Sequence, residues 1–444
     1  MPIEVCTISG YTKTGGNSTA IKVDDEVVII DMGLAMENYI RFQEDREDIH
    51  AAITYKQLLR VNAVPDYGII DDWKDKVVAI APSHGHLDHI GAIPYASKLF
   101  PDAPVVGTPY TMEILQSILR DDRIDIPNKI HSVNLNGTFK ASDKISIEFV
   151  NVTHSIPHSS LIVIHTPYGK VVYANDYKFD RQPTLGKKPN FKRLEEIGNE
   201  GVNLLIMESL YAHEHRKMPS ESVAKQMLKD VVLGVKSEGK GMLITTFSSH
   251  IARLKSIVEL GKKLNRKIVF LGRSLTKYVT AAERLGIVSF QQDIKLIRHR
   301  DKIDKMLRKI EKDGREKYLI VCTGHQGEPK AILSRMVKKQ FDFSFNSGDI
   351  VVFSCSVIPV ELNKDNRDKL EGGLSKFDVR IFKDVHVSGH GAREDHRDLI
   401  ELVKPKHIIP SHAGEEKAQH VVSLGKQLGY KDVHIMENGN RMNV

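Results

Sequence analysis

Four side chains with metal-ligand chemistry fall within six consecutive positions: His84, His86, Asp88 and His89, in the run Ser83-His84-Gly85-His86-Leu87-Asp88-His89. Imidazole nitrogens and a carboxylate together suit zinc or a similar divalent ion. The run follows directly on Val77-Val78-Ala79-Ile80-Ala81, an apolar stretch that reads as a buried strand. A tight turn at a strand end can aim alternate residues into one pocket. Position as well as composition therefore argues for a metal centre rather than a polar loop rich in histidine. The whole chain carries 20 histidines against a single tryptophan, so where the other histidines stand relative to strand ends decides how far this reading extends.

The elements that must position these groups can be read from the apolar pattern. Residues 18–31 alternate around a charged break and predict a β-hairpin that ends in Asp31. Residues 37–74 are charged and mixed, a helical excursion. Residues 107–119 read as a strand end followed by a Pro-started helix. Strands are predicted at 145–150, 161–166 and 171–175, the last two joined by a Tyr168-Gly169 turn, and again at 203–207. The pattern then becomes regular: strands at 242–246, 267–271, 318–322 and 350–353 alternate with helices at 250–264, 275–285 and 328–339. Such alternation implies a parallel sheet with helices on its faces. Beyond about residue 376 the chain returns to short strands, a helix at 395–403, and a final helix and strand. The simplest organisation is one domain, residues 1–208 and 377–444, interrupted by an inserted α/β domain at 209–376.

The His-x-His-x-Asp-His run resembles the signature of metallo-β-lactamase-fold hydrolases, which implies an αββα sandwich. The resemblance implies further ligands in chain order, each at a strand end, and residues of the right type stand there. Asp31 closes the first hairpin, where the family has an aspartate that braces the site. His154, in Thr153-His154-Ser155-Ile156-Pro157, offers a third histidine. Asp176 ends a strand and offers a bridging carboxylate. His412, in Pro410-Ser411-His412-Ala413-Gly414, offers the last histidine. In the family pattern His84, His86 and His154 hold one metal, Asp88, His89 and His412 hold the other, and Asp176 bridges them. The implied cofactors are two zinc ions, with manganese or magnesium as alternatives. His158 competes with His154 for the third position; the Thr-His-Ser-Ile-Pro string favours His154.

A second resemblance, to the β-CASP group, rests on Met207-Glu208-Ser209-Leu210-Tyr211, on Val387-Ser388-Gly389-His390-Gly391 and on Pro410-Ser411-His412. It implies a parallel-sheet α/β insertion, and histidine at position 412 is the RNA-directed form. Within that group, Cys322-Thr323-Gly324-His325-Gln326-Gly327-Glu328-Pro329 is similar to a string of the ribonuclease J family, with His325 where that family has serine. Short, basic and without long extensions, the chain most resembles the archaeal branch. The resemblance implies that Glu208 orients a metal-bound histidine from behind. It also implies that His390 stabilises a phosphoryl oxygen or protonates the leaving 3′-oxygen, with Ser388 beside it. Asp88 or Asp176 would accept the proton of the attacking water.

Three loops carry an independent argument. Ser248 and Ser249, Arg273 and Ser274, and Gly324-His325-Gln326-Gly327 all follow predicted strands of the parallel stretch, at the carboxyl edge where ligands bind. A glycine loop running into a helix N-terminus offers N–H groups to a phosphate. Together the loops predict a pocket for a 5′-phosphate or nucleotide, which suits an exonuclease that grips a 5′-monophosphate end. Residues 297–312 are the best candidates for backbone contact along single-stranded RNA, whereas Lys187-Lys188 and Lys262-Lys263 read as solvated faces.

Composition sets the outer bounds. With 444 residues, 41% of them hydrophobic, the chain has the size of two or three domains. The net charge of +7 suits a polyanionic partner without requiring one. Cys6, Cys322 and Cys355 are too few and too scattered for a disulfide framework and read as reduced, buried thiols. No signal peptide and no membrane span is predicted, so the expected location is the cytoplasm. The expected function is a metal-dependent ribonuclease, a processive 5′→3′ exonuclease preferring 5′-monophosphate RNA and acting as a homodimer. The alternatives are an endoribonuclease of the cleavage-and-polyadenylation type and a non-catalytic RNA-binding subunit.

Overall fold

The computed structural model describes residues 2–46, 52–358 and 360–444. The chain divides into two compact units. The first comprises residues 1–181, 187–218 and 389–444; the second comprises 182–186 and 219–388.

The first unit is built on two sheets. One runs, in spatial order, Arg441–Asn443, Ile3–Ser9, Ser18–Val23, Glu26–Ile30, Val77–Ala81, Val105–Gly107 and Ile130–Ser132. The other runs Pro405–Ser411, Val202–Glu208, Gly169–Ala174, Ser160–Thr166, Ser146–Asn151 and Thr138–Lys140. Alternation along these strands sends one set of side chains between the sheets. Val5, Ile21, Val28, Ile30 and Ala81 meet Phe149, Ile162, Ile164, Leu204, Ile206 and Ile409 there. The opposite face of the second sheet, with Val172, Leu205 and Ile408, packs against Leu194 and Ile197, Leu399 and Ile400, and Val421 and Leu424. Those residues belong to the helices Phe191–Glu200, Arg393–Val403 and Glu415–Gln427. The result is the αββα sandwich of metallo-β-lactamase-fold proteins.

This topology gathers the chemistry. The strands ending at Ala174, Glu208 and Ser411 are neighbours and run parallel. The residues just after their ends therefore emerge side by side. The parallel pair Glu26–Ile30 and Val77–Ala81 does the same for Asp31 and the histidine run. Asp31, Asp176 and His412 all turn the chain there in the left-handed backbone region, at φ 59°, 57° and 59°. That conformation is uncommon outside glycine and gathers at functional sites.

The second unit holds a six-stranded sheet, in the order Ile294–Ile297, Lys267–Leu271, Tyr318–Cys322, Met242–Thr245, Ile350–Phe353 and Arg380–Phe382, parallel throughout. Apolar runs such as Tyr318–Cys322, buried along their whole length, are what a sheet covered on both faces demands. The expected parallel α/β insertion is thus present.

Differences of detail have local causes. The helix expected at 328–339 shrinks to Ile332–Val337, because Glu328-Pro329-Lys330-Ala331 is taken up in turns. The excursion at 37–74 resolves into Met36–Asp45, Tyr55–Arg60 and a 3-10 stretch Tyr67–Lys76, with part of it (47–51) outside the described residues. Helices Glu221–Gly234, Arg300–Asp313 and Glu361–Ser375 add to the predicted elements; Ser220 caps the start of the first and Gly314 ends the second. The three cysteines are buried free thiols, and burial pushes that of Cys322 up to about 12.

One buried ion pair organises the second unit. Arg253, fully buried, donates Nε and NH2 to the two oxygens of Glu221 at 2.6 and 2.8 Å. Its NH1 donates to the carbonyl and hydroxyl of Ser354 at 2.9 and 2.8 Å. Burial opposes ionisation of Glu221, but His250 and Arg253 outweigh it and hold its pKa far below 4.5. Removing one partner of such a pair leaves a buried charge uncompensated. Arg253→Met is therefore expected to destabilise the protein by about 3–5 kcal/mol, read from chemical denaturation. Because the folded carboxyl titrates low, the contribution of Glu221 is present above pH 4.5 and lost as pH falls below it. In Arg253→Met this part of the acid-induced loss should shrink, with His250 alone left to hold the carboxyl down.

Candidate metal centre

The turn after Val77–Ala81 is fixed by Asp31. This buried carboxylate accepts hydrogen bonds from Ser83 N at 2.7 Å, Ser83 Oγ at 3.1 Å, Tyr173 OH at 2.9 Å and His89 Nδ1 at 2.7 Å. The last bond commits Nδ1–H of His89 and makes Nε2, which lies 3.2 Å from the Asn17 amide nitrogen, the candidate ligating atom. The same device recurs: His154 Nδ1 donates to the Gly389 carbonyl at 2.8 Å, and His412 Nδ1 donates to Asn17 Oδ1 at 2.9 Å. Gly389 is required by that contact, since a Cβ there would stand 2.9 Å from His154 Nδ1 and 2.8 Å from Ser155 N.

The ring nitrogens left over converge on Asp176. His84 Nε2 and His154 Nε2 each stand 3.5 Å from Asp176 Oδ2, with His86 Nδ1 3.0 and 3.2 Å from those two nitrogens. On the other side His89 Nε2 lies 3.3 Å from Oδ2 and 3.6 Å from Asp88 Oδ2, while His412 Nε2 lies 3.4 Å from Oδ1. Two donor groups result, His84-His86-His154-Asp176 and Asp88-His89-His412-Asp176, and the donor atoms within each lie within 4.8 Å of one another. They share one carboxylate. Asp176 is only 3% exposed, yet its Oδ1 has no hydrogen-bond partner. A buried carboxylate oxygen left without a partner among imidazoles fits a cation between them.

The electrostatics agree. Burial would raise the Asp176 carboxyl, but the imidazoles of His412, His89 and His390 outweigh it and hold it well below the usual range. Burial keeps His84, His86 and His154 well below the ordinary imidazole value and takes His412 down to about 3. Neutral imidazole is the form that ligates. At His89 burial acts the same way, but Asp176, Asp31 and Asp88 prevail and push it up. Burial raises Asp88 itself.

His390 stands beside the clusters. Its Nδ1 is 2.7 Å from Glu208 Oε2 and 4.0 Å from Asp176 Oδ1. Glu208, fully buried, also accepts from Tyr177 N at 3.1 Å. Glu208 thus holds His390, not one of the clustered histidines as the sequence suggested. Burial disfavours charge on His390, but Glu208 and Asp176 overcome it and raise its pKa to about 9. His158 is elsewhere: in left-handed backbone at φ 59°, its Nδ1 accepts from Tyr110 N at 3.4 Å. Asn17, Tyr173 and Asn175 were missed. Asn17 orients His412, and Asn175 Nδ2 donates to Tyr173 OH at 2.7 Å. Asn175 stands beside Asp176 in the sequence, but nothing in the pattern marked its role.

In the second unit the three predicted loops do sit together. They leave neighbouring strands, Ser248 Oγ is 3.0 Å from Ser274 Oγ, and the Phe247 and His325 rings are 4.3 Å apart. Arg273 is exposed and Ser248 half-buried. Ser249 is buried, and the cap of the following helix is the His250 ring, which accepts from Arg253 N. In the glycine loop two of the backbone amides have partners close by in the chain. Gln326 N donates to Glu328 and Gly327 N to the Gly324 carbonyl, while the Gln326 side chain is buried against Ser356 and Ile358. Ser388, half-buried, is the last residue of the second unit. On helix Arg300–Asp313, Arg308 pairs with Asp304 and Asp342, and Lys309 with Asp313.

Comparison with known proteins bears on this geometry. Over 444 residues the chain is 39% identical to a Ribonuclease J of Methanocaldococcus jannaschii, covering 99% of this chain and 98% of that one. Over 442 residues it is 42% identical to a Ribonuclease J of Pyrococcus abyssi, covering 99% and 96%. The chain belongs to the ribonuclease J family. Other members are more distant: Ribonuclease J 1 of Streptococcus pyogenes is 31% identical over 453 residues, which span 99% of this chain and 74% of that one. Residues 239–367 match the ribonuclease J β-CASP domain, and 378–436 match a domain described as a Zn-dependent metallo-hydrolase RNA specificity domain. A solved structure of a protein of unknown function from Enterococcus faecalis matches with a TM-score of 0.65 over 99% of both chains, at 19% identity, which speaks for the fold alone. The zinc-dependent domain match and the two donor groups together support metal use by this ribonuclease J family member. Among the described residues no helix is long and apolar enough to cross a membrane.

Asp31 reaches the donor groups directly through His89 and indirectly through Ser83, whose hydroxyl lies 3.1 Å from His84 Nδ1, so its loss loosens the turn that orients both rings. Asp31→Ala should weaken metal binding about 10–100-fold, measured by metal content after dialysis against buffered zinc, with fold retained by circular dichroism.

Proposed function

We propose that this chain is a zinc-dependent 5′→3′ exoribonuclease of the cytoplasm that prefers 5′-monophosphate RNA and releases nucleoside 5′-monophosphates. The observation that carries the reading is the pair of donor groups sharing Asp176, with the His390–Glu208 pair beside them, in a chain 39–42% identical over its length to two ribonucleases J. In this reading His84, His86 and His154 hold one zinc ion, Asp88, His89 and His412 hold the second, and Asp176 bridges them. Two such ions supply Lewis acidity to a phosphodiester and a nucleophile at neutral pH.

The chain's own groups do the remaining work. Asp176, held well below the usual carboxylate range, stays ionised and serves as the bridge. Asp88, raised by burial, is the better acceptor for the proton of the attacking water. His390, held through Nδ1 by Glu208, stands beside the clusters to donate a ring proton to a phosphoryl oxygen or to the leaving 3′-oxygen. Ser248, Ser274 and Arg273 offer hydroxyls and a guanidinium on joined loops for a 5′-phosphate. Assembly as a homodimer is part of the same reading and is checked by light scattering.

One RNA with a 5′-monophosphate and its 5′-hydroxyl twin, each labelled internally and at the 3′ end, test the reading with wild type and His86→Ala, with and without EDTA. Release of mononucleotides from the 5′ end, faster with monophosphate and abolished by the substitution or the chelator, is expected. Discrete internal fragments independent of the 5′ end would mean an endonuclease; RNA binding with no turnover under several divalent metals would mean a non-catalytic subunit. His390→Ala should lower kcat by about 100–1,000-fold while zinc content and RNA affinity stay unchanged. Loss of zinc in that variant would make His390 a ligand instead.

A further inference from the structure

A third group of ligating side chains lies outside the centre described above. Strand Pro405–Ser411 is the edge of its sheet, and its free side is met by one parallel bridge, Ile408 to Val433. Ile408 N donates to the Asp432 carbonyl at 2.9 Å and His434 N donates to the Ile408 carbonyl at 2.8 Å. Side chains alternate across extended backbone, so residues flanking the bridge on both strands share a face. Ile408 points into the packed helical side. His407, Asp432 and His434 therefore stand together on the other face. His407 Nδ1 is 3.2 Å from His434 Nε2, and one donor atom from each of the three residues lies within 4.8 Å of the others.

We propose that His407, Asp432 and His434 form an additional site for a zinc-type divalent ion, separate from the catalytic centre, which pins the 432–434 segment to the sheet edge. The nitrogen pair already stands at the separation that two ligands adopt around tetrahedral zinc, about 3.3 Å for bonds of about 2.0–2.1 Å. Two imidazoles and one carboxylate select an ion of this kind over magnesium or calcium. Both histidines are half-buried and Asp432 is exposed, so an ion can enter and keep water at the remaining position. A clip suits this place. Among the described residues 428–440, the only ladder contact is that single bridge.

The test counts zinc. Full-length wild type, the double variant His407→Ala/His434→Ala and the milder Asp432→Asn/His434→Gln are dialysed to equilibrium against buffered zinc and assayed by mass spectrometry of the metal. His86→Ala, run in parallel, reports the catalytic centre separately. Both edge variants should hold one zinc fewer than wild type while cleaving RNA at the wild-type rate, and should lose part of the zinc-dependent rise in Tm. Equal zinc content in wild type and the milder variant would overturn the proposal and leave His407 and His434 sharing a proton. The readout does not depend on RNA cleavage, so failure of the nuclease reading would not register as failure here.

Discussion

A carboxylate removed from water must be compensated, and Asp176 is where that demand is concentrated in this molecule. It is nearly fully buried, and its oxygens are surrounded by His84, His89, His154, His390 and His412 at 3.3–4.0 Å. Those rings come from segments far apart in the sequence, most of them just past strand ends, so the compensation is possible only if both sheets of the sandwich deliver their ends to one place. The interior between the sheets is apolar and supplies that alignment: Ile30, Ala81, Tyr173, Ile206 and Ile409 pack together one to three residues before the chemistry begins. Core and site are consecutive residues of the same strands.

Orientation is handled by a second layer of neutral and acidic groups. Asp31, the Gly389 carbonyl and Asn17 each take the Nδ1 of one histidine, and each leaves the other ring nitrogen facing Asp176. Glu208 does the same for His390 but with a different outcome, because it adds a full negative charge at 2.7 Å and so favours the protonated ring. Neutral partners and charged partners thus separate the ligating histidines from the proton-carrying one. His89 is the exception among the ligand candidates, paired with a carboxylate and raised by three of them; that concentration of negative charge is also what draws a cation.

The second unit solves its burial problem with the opposite arrangement, one cation among acceptors. Arg253 satisfies Glu221, Ser354 and the Val385–Val387 stretch at once. It ties helices Glu221–Gly234 and Ile251–Lys263 to the sheet from which the three candidate phosphate loops emerge. Those loops are joined by Ser248–Ser274 and by the Phe247–His325 ring contact.

The histidines and carboxylates that the fold gathers into two groups, the chain order of the segments that carry them and the α/β insertion were legible from the sequence. A strand end followed by His, Asp or Glu is a local pattern, and burial on both faces of a parallel strand forces an apolar run that cannot be mistaken. Which partner each ring takes was not legible. Asn17 and His412 are separated by 395 positions, and His390 and Glu208 by 182. No short-range periodicity records such pairings. The bonds that hold Gln326 were hidden for the same reason, since they depend on Ser356, Ile358 and the turn at Glu328 closing over it. Local sequence determined which groups could ligate and which segments would be strands. Tertiary packing alone decided which nitrogen faces the centre, which histidine carries a proton, and that His407 meets His434 across a sheet edge, because those outcomes are set by distances between strand ends that only the assembled sandwich defines.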